Sequence, residues 1–321
     1  MTHEQEPDHS APDFPAPDFP AADFPAADFP GPDFVASPRP VPAGLHLVAT
    51  PIGAARDITL RTLDILAGAD VLAAEDTRSL RRLMEIHGVR LNGRPLLAYH
   101  DHNGAQMRPR LMAALSEGKS VAFAPEAGTP MVSDPGYQLA RTAIDAGYPV
   151  VAAPGASAVL AALAVGGLPT DRFCFLGFPP AQAAARKRML SEAAQIPATL
   201  AFYESPKRIH RLLGELAQTL GAGRECALCR ELTKRFEEVV RGSVADVVAA
   251  IDGRSLKGEI VLLVGRAPDR VGEAVDLDAA LRAAMPGSSL REAVDAVTAA
   301  TGLKRRDVYQ RALALNQEGD E

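Results

Sequence analysis

The sequence lacks several features that mark common classes of protein. Only three cysteines occur among 321 residues, too few for the disulfide framework of a small secreted domain. No run approaches the roughly 18 apolar residues of a membrane span. The first residues also lack the cationic and apolar regions of a signal peptide. We therefore expect a soluble, cytoplasmic protein with no membrane partner.

Two nucleotide-binding fingerprints are missing as well. No G-x-G-x-x-G follows the first predicted strand, and no G-x-x-x-x-G-K-[ST] occurs anywhere in the chain. These glycine patterns let the backbone approach phosphate groups in dinucleotide-binding and P-loop proteins. Their absence disfavours a Rossmann dehydrogenase and a P-loop NTPase.

The net charge of −6 argues at first against a nucleic-acid partner, but the charge is unevenly distributed. Residues 1–40 hold eight acidic residues and one basic residue, which leaves a net charge of +1 on the rest. Residues 11–35 are five pentapeptides of the APDFP type, and regular proline interrupts helices and sheets. We predict a disordered tail over residues 1–43 and interpret only the remainder for function.

From Leu45 onward, short apolar runs alternate with helical patterns, which predicts a parallel sheet covered on both faces. Asp57 is the predicted N-cap of the first helix. This first α/β domain, doubly wound, is predicted to span residues 44–167. Its predicted strands are Leu45–Thr50, Val71–Ala74, Leu96–Tyr99, Val121–Ala124 and Val150–Ala153, and its predicted helices are Ile58–Ala67, Ser79–His87, Arg108–Glu117, Tyr137–Ala146 and Ser157–Val165.

A second α/β domain is predicted over residues 168–266, after the sequence GGLP. Two strands that flank Thr233–Phe236 suggest an antiparallel hairpin, so the second sheet is expected to be mixed. Residues 267–321 form a small helical segment. The predicted strands are Phe173–Phe178, Thr199–Tyr203, Glu225–Arg230, Glu237–Arg241 and Glu259–Val264, and the predicted helices are Ala183–Ala194, Lys207–Leu220, Val244–Ile251, Leu277–Ala284, Ser289–Thr301 and Lys304–Leu315.

Three loops of the first domain are rich in glycine, proline and small polar residues. They cover residues 50–53, 126–136 and 154–158, and each follows a predicted strand. Ligands of open α/β sheets bind at the carboxyl ends of the strands, and glycine lets the backbone approach a ligand closely. The loops are either tight turns alone or the walls of one binding cleft, and their shared edge favours the cleft.

Nine ordered motifs complete this interpretation. They are VATPIG…DITLR, AAEDTR, YHDHN, AGTPMVSDPG, PGASA, GLPTDRF, FYESPKR, RELTKRFEE and KGEIVLLV. Together they resemble the ribosomal RNA small subunit methyltransferase I family, within the tetrapyrrole methylase-like class of S-adenosylmethionine (SAM) enzymes. The resemblance covers about residues 44–315. Pro125-Glu126 departs from it, because the family usually has Ser-Asp ahead of AGTP.

The resemblance implies a SAM-dependent methyltransferase with its cofactor in a cleft between two α/β domains. The implied reaction is 2′-O-methylation of a cytidine ribose in the decoding region of 16S rRNA, on the small ribosomal subunit, by a homodimer. It implies cofactor contacts at Pro51, Gly128, Thr129, Pro130, Met131, Val132, Ser157, Ala158, Phe202, Tyr203 and Leu232.

Several polar residues are candidates for substrate binding, each with a structural alternative. Glu75, Asp76 and Arg78 follow a strand end and either face the cleft or, for Asp76, cap the next helix. His100, His102 and Asn103 either contact substrate or shape their loop. No third metal ligand follows the two histidines at a suitable spacing, and SAM chemistry requires no metal.

A ribose hydroxyl is a weak acid, so methyl transfer needs a base or stabilisation of the developing oxyanion. Glu204 and Glu231 are candidate bases, and Lys234 or Arg208 could stabilise the oxyanion; a structural salt bridge among them is the alternative. The basic clusters, among them Arg186, Lys187 and Arg188, either contact RNA phosphates or form a solvated surface.

Two further alternatives concern the cysteines and the function as a whole. Cys226 and Cys229 point to opposite faces of a strand and predict no zinc site. The rival functions are a tetrapyrrole methyltransferase of the same class and a non-catalytic RNA-binding ribosome-assembly factor.

Overall fold

The computed structural model describes residues 40–131, 136–267, 277–286, 288–301 and 305–318. The predicted tail up to residue 39 lies outside the described residues. Among these residues the first unit holds a five-stranded, wholly parallel sheet of strand order β3-β2-β4-β1-β5. The strands are β1 (Gly44–Val48), β2 (Val71–Ala74), β3 (Leu96–Ala98), β4 (Ser120–Ala124) and β5 (Val150–Ala153).

Helices cover both faces of this first sheet, which confirms the predicted doubly wound arrangement. One core, around Leu66 and Leu72, joins the sheet to α1 and α2. The opposite core, around Phe123, Leu111 and Leu139, joins it to α3 and α4. Strands buried on both faces are almost continuously apolar, as VLAA in β2 illustrates. The helices are α1 (Leu60–Gly68), α2 (Thr77–Ile86), α3 (Gly104–Ser116), α4 (Gly136–Asp145) and α5 (Ala158–Gly166).

The second unit holds a mixed sheet of order β6-β7-β10-β8-β9, as the hairpin predicts. Its strands are β6 (Phe173–Phe175), β7 (Thr199–Glu204), β8 (Glu225–Arg230), β9 (Glu238–Ser243) and β10 (Ile260–Val264). Only the β6–β7 pair is parallel among them. The last strand, β10, lies between β7 and β8. One face carries the helices α6 (Ala183–Ala193), α7 (Ile209–Leu216) and α8 (Val244–Ile251).

Helix α5 connects the two units. Val159 and Leu163 on this helix pack against Ala201, Ala227 and Leu263 of the second sheet, on the face opposite α6, α7 and α8. The Nε of Arg241 in β9 donates a hydrogen bond of 3.0 Å to the carbonyl oxygen of Val165, near the end of the helix. The helix that ends the first unit therefore completes the core of the second.

The C-terminal segment is helical, as predicted. It comprises α9 (Leu277–Ala284), α10 (Leu290–Thr301) and α11 (Arg305–Glu318). A small core of Leu281, Val294 and Val308 lies among them. None of the helices in the described part of the chain is long and apolar enough to cross a membrane.

Three predicted helix boundaries are wrong. Asp57 does not cap α1; the side-chain oxygen of Thr59 accepts from the N–H of Thr62 at 3.1 Å, so the helix begins at Leu60. Helix α3 begins at Gly104 rather than Arg108 and contains Pro109. Helix α7 ends at Leu216 and gives way to a π-helical turn over 217–221. The domain boundaries at residues 167 and 266 stay predictions.

Candidate functional site

A cleft of about 610 Å³ opens between the two sheets. This volume lies within the range of about 300–1,000 Å³ that is usual for ligand pockets. The first unit contributes Pro51, Ile52, Gly53, Glu75, Ser79, Glu126, Ala127, Gly128, Thr129, Ser157 and Ala158 to its lining. The second unit contributes Phe178, Tyr203, Glu204, Ser205, Pro206, Cys229, Leu232, Lys234, Gly258, Glu259, Ile260 and Val261.

The three glycine- and proline-rich loops meet at this cleft. Thr50 and Gly128 exchange two backbone hydrogen bonds, of 2.9 and 3.0 Å, which join the loop after β1 to the loop after β4. The hydroxyl of Thr129 donates to the carbonyl oxygen of Ala156 at 2.9 Å and so reaches the third loop. Gly128 has a φ of +81°, and a Cβ there would lie 3.3 Å from Cγ2 of Ile52. These contacts hold the loops together as one wall.

Most residues that the resemblance assigns to the cofactor line this cleft, but three of the described ones do not. Phe202 is fully buried in the core beneath α6, α7 and α8, since successive residues of a strand point to opposite faces. Its assignment to the cleft is therefore corrected, and its neighbour Tyr203 lines the cleft instead. Pro130 is buried and Met131 is exposed with a φ of +69°, and neither is part of the lining. Val132 lies outside the described residues.

Burial also alters the chemistry of Tyr203. Burial raises the pKa of its hydroxyl, and the charge of Glu259 adds to the increase. The phenol therefore stays protonated at neutral pH and presents an aromatic ring with a polar end to the cleft.

Lys234 extends into the cleft between two carboxylates. Its Nζ lies 2.9 Å from Oε1 of Glu231 and 2.8 Å from Oε2 of Glu259. Burial alone would lower the pKa of Lys234, but the hydrogen bonds to Glu259 and Glu231 outweigh it and raise the pKa. The ammonium group therefore stays charged at neutral pH.

Glu231 was a candidate base, but it does not line the cleft. Its carboxylate instead holds the ammonium group of Lys234 in position. Its Oε1 also accepts from the N–H of Glu259 at 3.0 Å. The hydrogen bond from Lys234 lowers the pKa of the Glu231 carboxyl. Gly258 has a φ of +89°, and a Cβ there would lie 2.2 Å from Cδ of Glu231. Glycine at this position leaves the space in which the carboxylate sits.

The lowered pKa of Glu231 predicts a pH dependence of stability. The contribution of this carboxylate is complete above its ordinary pKa of 4.5 and is lost as the pH falls through the lower pKa of the folded state. Glu231→Gln should therefore flatten part of the decline in the thermal unfolding midpoint between about pH 4.5 and pH 3. Midpoints measured from pH 3 to pH 7 check this, and identical declines in both proteins would contradict it.

Glu204 ends β7 and is paired with Arg208. It is only 3% exposed, yet it borders the cleft. Its Oε1 accepts from the N–H of Ser205 at 2.8 Å, and its Oε2 lies 3.1 Å from Nη2 of Arg208. Arg208 also donates to the carbonyl oxygen of Pro179. The structural salt bridge that was the alternative for this pair is therefore present.

Arg186 is not an exposed basic residue, and its assignment to RNA contact is corrected. Its side chain is 2% exposed and pairs with Glu215, with Nη2 to Oε1 at 2.7 Å. Nη1 donates to the carbonyl oxygens of Pro180 and Ala181, both at 2.8 Å. Lys187 and Arg188 are exposed but are not part of the cleft lining.

The segment after β2 divides between the cleft and the next helix. Glu75 lines the cleft, and its Oε2 accepts from the N–H of Glu126 at 3.1 Å. Asp76 caps α2, with its Oδ1 accepting from the N–H of Arg78 at 2.8 Å. The Arg78 side chain is 92% exposed and lies outside the lining. Glu126, where the family pattern is altered, borders the cleft.

The cap at Asp76 yields a stability prediction. Asp76→Ala removes the acceptor for two N–H groups of α2 and should lower the free energy of unfolding by about 1 kcal/mol. Asp76→Asn keeps an acceptor and should retain most of that stability. Urea denaturation of both variants checks this. A loss of stability that is equal in the two variants would contradict the cap.

The histidine loop is held by its own hydrogen bonds. Oδ1 of Asn103 accepts from the N–H of His100 at 2.9 Å, and Nδ2 donates to the carbonyl oxygen of Ala98 at 3.0 Å. The rings of His100 and His102 stand 6.0 Å apart. None of the three residues belongs to the cleft lining. Their contacts fit the alternative interpretation, in which these residues shape their own loop.

No metal centre is formed within the described ranges. They contain no group of three or more His, Cys, Asp or Glu side chains that could hold a metal ion. Cys226 and Cys229 belong to cores on opposite faces of the second sheet. Burial raises the pKa of Cys226 to about 12 and that of Cys229 to about 11, so neither is a ready thiolate.

Several lining residues are absent from the sequence prediction. Ser205, Gly258 and Glu259 all lie inside the quoted motifs, and their position at strand ends was an available signal. Phe178 lies three residues beyond the end of β6, where an apolar residue predicts core rather than cleft. Phe178 lines the site only because the two sheets lie on either side of the cleft.

Two family models match this chain, one over the α/β units and one over the C-terminal helices. Residues 44–248 match the family model of Tetrapyrrole (Corrin/Porphyrin) Methylases, and residues 271–316 match the RsmI C-terminal HTH domain. The chain is 46% identical over 291 residues to ribosomal RNA small subunit methyltransferase I of Mesorhizobium japonicum, covering 88% of this chain and 96% of that protein. The chain belongs to the ribosomal RNA small subunit methyltransferase I family.

Other members of the family and more distant structures are consistent with this assignment. The Escherichia coli O157:H7 protein of the same name is 40% identical over 281 residues, covering 86% of this chain and 96% of its own. Diphthine synthase superposes with a TM-score of 0.54 at 17% identity, over 69% of this chain and 89% of its own. A cobalt precorrin-4 methyltransferase superposes with a TM-score of 0.53 at 19% identity, over 69% and 94%. These two share the fold with this methyltransferase family.

Proposed function

We propose that this protein transfers a methyl group from SAM to the 2′-oxygen of a cytidine ribose in the decoding region of 16S rRNA. The observation that carries the proposal is its 46% identity to a ribosomal RNA small subunit methyltransferase over 96% of that protein. The cleft between the sheets supports it, because the cleft combines close backbone walls with a charged lysine. The reaction would take place in the cytoplasm, where ribosomal subunits assemble.

The residues of the cleft fit SAM. Gly128 lines the cleft without a side chain, and its φ of +81° together with the nearby Ile52 accounts for glycine at this position. In the first unit, the cofactor would be held by Gly128, Thr129, Ser157 and Ala158, with Pro51 beside them. Tyr203 and Leu232 would enclose it from the second unit. When bound, SAM supplies a methyl group that its positively charged sulfur already activates.

Lys234 is the proposed stabiliser of the oxyanion. A positive charge placed where negative charge develops lowers the barrier most when it is held in position beforehand. Glu231 and Glu259 hold the ammonium group in this way, at 2.9 and 2.8 Å. Glu204, which borders the same cleft, remains the candidate to accept the proton of the ribose hydroxyl, with Arg208 fixing its carboxylate.

The proposed partner is the small ribosomal subunit. Arg78, Lys187 and Arg188 are exposed and available to phosphate groups, whereas Arg186 is not. Contacts of this kind weaken as the salt concentration rises. The match of the C-terminal helices to an HTH domain supports a second RNA contact there. A homodimer, as the family resemblance implies, is part of the proposal.

One experiment separates this function from its rivals. Purified protein is incubated with radiolabelled SAM and small subunits that lack the modification, and the RNA is digested to nucleosides. Label in 2′-O-methylcytidine supports the proposal. Label in an added tetrapyrrole with none in RNA supports the small-molecule rival. Binding of SAM and subunits without transfer of label supports a non-catalytic assembly factor.

A further inference from the structure

Phe178 presents an aromatic ring at the mouth of the cleft. It is 57% exposed, and no other large apolar side chain among the described lining residues is as exposed. Its ring lies 5.4 Å from that of Tyr203, which in turn lies 4.8 Å from Phe175. One side of the Phe178 ring is thus supported by protein while much of the ring faces solvent.

The backbone that carries Phe178 is fixed on both sides of the residue. The carbonyl oxygen of Gly177 accepts from the N–H of Tyr203 at 2.9 Å. The next three carbonyl oxygens after Phe178 accept from two arginines: that of Pro179 from Arg208, and those of Pro180 and Ala181 from Arg186. Two consecutive prolines restrict the same segment further.

This fixation uses charged groups of the protein interior. Arg186 is almost fully buried and reaches the segment only because Glu215 compensates its charge. A single exposed phenylalanine on a protein surface needs no explanation. An exposed phenylalanine on a loop held by two arginines, inside a cleft, is preorganised, and preorganisation reduces the entropy lost when a ligand binds.

We propose that Phe178 stacks on a nucleobase of the RNA substrate, at or next to the nucleotide that is methylated. Single-stranded RNA is recognised largely by stacking of unpaired bases on aromatic side chains. Lys234 lines the same cleft, so a nucleotide stacked on Phe178 would lie in the cleft that contains the charged lysine. This inference rests on the proposed function and adds the residue that would hold the base.

The adenine of SAM is the competing occupant. The loops assigned to the cofactor belong to the first unit, but Tyr203, which Phe178 contacts in the second unit, is also assigned to it, so the adenine has to be tested directly. A ring that serves the cofactor affects the affinity for SAM, and a ring that serves RNA does not. Separate measurement of the two affinities therefore distinguishes them.

The test compares Phe178→Ala and Phe178→Trp with the control Phe173→Ala. Phe173 is 45% exposed in the same strand segment and is outside the cleft lining. Steady-state methylation of unmodified small subunits should show KM for the subunit raised about tenfold in Phe178→Ala, as expected for one lost stacking contact. Phe178→Trp should retain the wild-type KM, and the Kd for SAM by calorimetry should stay within about twofold in every variant.

Two outcomes of the methylation and SAM-binding measurements overturn the inference. Equal KM values in Phe178→Ala and Phe173→Ala would show that no base stacks there, and a weakened Kd for SAM would assign the ring to the cofactor. If wild-type protein places no label in RNA, the proposed function fails first. Fluorescence anisotropy with a single-stranded oligonucleotide of the decoding region then tests the ring alone: affinity unaffected by Phe178→Ala rejects it, and affinity lost there but kept in Phe178→Trp supports it.

Discussion

Replacing Lys234 with methionine is expected to lower kcat by about 100-fold or more, the cost of removing one preorganised donor to a developing oxyanion. Methionine keeps much of the apolar stem and removes the charge. The ammonium group is held at 2.9 and 2.8 Å by two carboxylates, so its position is fixed in the free protein. Single-turnover methyl transfer at saturating SAM and subunit concentrations measures the effect on the chemical step.

Arg235→Met is the matched control for this prediction. Arg235 is the next residue in the chain, is exposed, and lies outside the cleft lining, with its guanidinium 5.4 Å from the ring centre of Phe236. Its rate should stay near that of the wild type, and both variants should bind SAM normally. A Lys234→Met rate within about threefold of the wild type would remove Lys234 from the proposed chemistry.

Arg186→Ala is expected to destabilise the second unit by about 3 kcal/mol, as removal of one partner of a buried ion pair does. The value lies at the lower end of the usual range because the Glu215 side chain keeps 27% exposure to solvent. The substitution leaves that carboxylate unpaired and releases the carbonyl oxygens of Pro180 and Ala181. The midpoint and slope of urea denaturation, followed by circular dichroism, measure the loss.

The neighbouring basic residues give the control and separate stability from RNA binding. Arg188 has a side chain that is 78% exposed and only a 3.9 Å contact to Glu192. Arg188→Ala should leave the denaturation midpoint unchanged, while the double substitution of Lys187 and Arg188 by Ala should weaken RNA binding at low salt. A stable, fully folded Arg186→Ala protein would show that the buried pair contributes little.

The order of strands and helices could be predicted because each element has its own local pattern. β2 and β10 are continuous apolar runs, and α8 begins with a serine whose side chain caps it. Strand order is different, because it depends on contacts far apart in the chain. The apolar run of β10 favours an interior position, but nothing local indicates that its neighbours are β7 and β8.

The wrong start of α1 involves two residues that compete for one role. Asp57 and Thr59 are both good N-caps, and the backbone of Thr59 takes the extended conformation that a cap needs.

The burial of Arg186 could have been predicted from the pattern of its helix. Three consecutive helical residues cannot share a face, and Leu190 and Ala193, buried with Arg186 at helical spacing, were the available signal.

The candidate site was partly predictable for the same reason. The three loops of the first unit follow strands of a parallel sheet, whose carboxyl ends share an edge. The group around Lys234 needs Glu259, which directly precedes β10, and the fixed backbone at Phe178 needs Arg186 of α6 and Arg208, the N-cap of α7. Such contacts exist only after folding, so residue types and spacing did not reveal them.

The position of β10 has a consequence for how the protein is made. The first sheet is complete once Ala153 has been synthesised, and domains of a growing chain fold as units from the N-terminus. The second sheet lacks its middle strand until Val264 has left the ribosomal exit tunnel. Until then, one edge of β7 and one edge of β8 have no strand to pair with. During that interval the apolar side of α5 stays exposed as a candidate surface for a chaperone. A fragment cut at residue 248, where the methylase match ends, should fail to close this sheet and should aggregate.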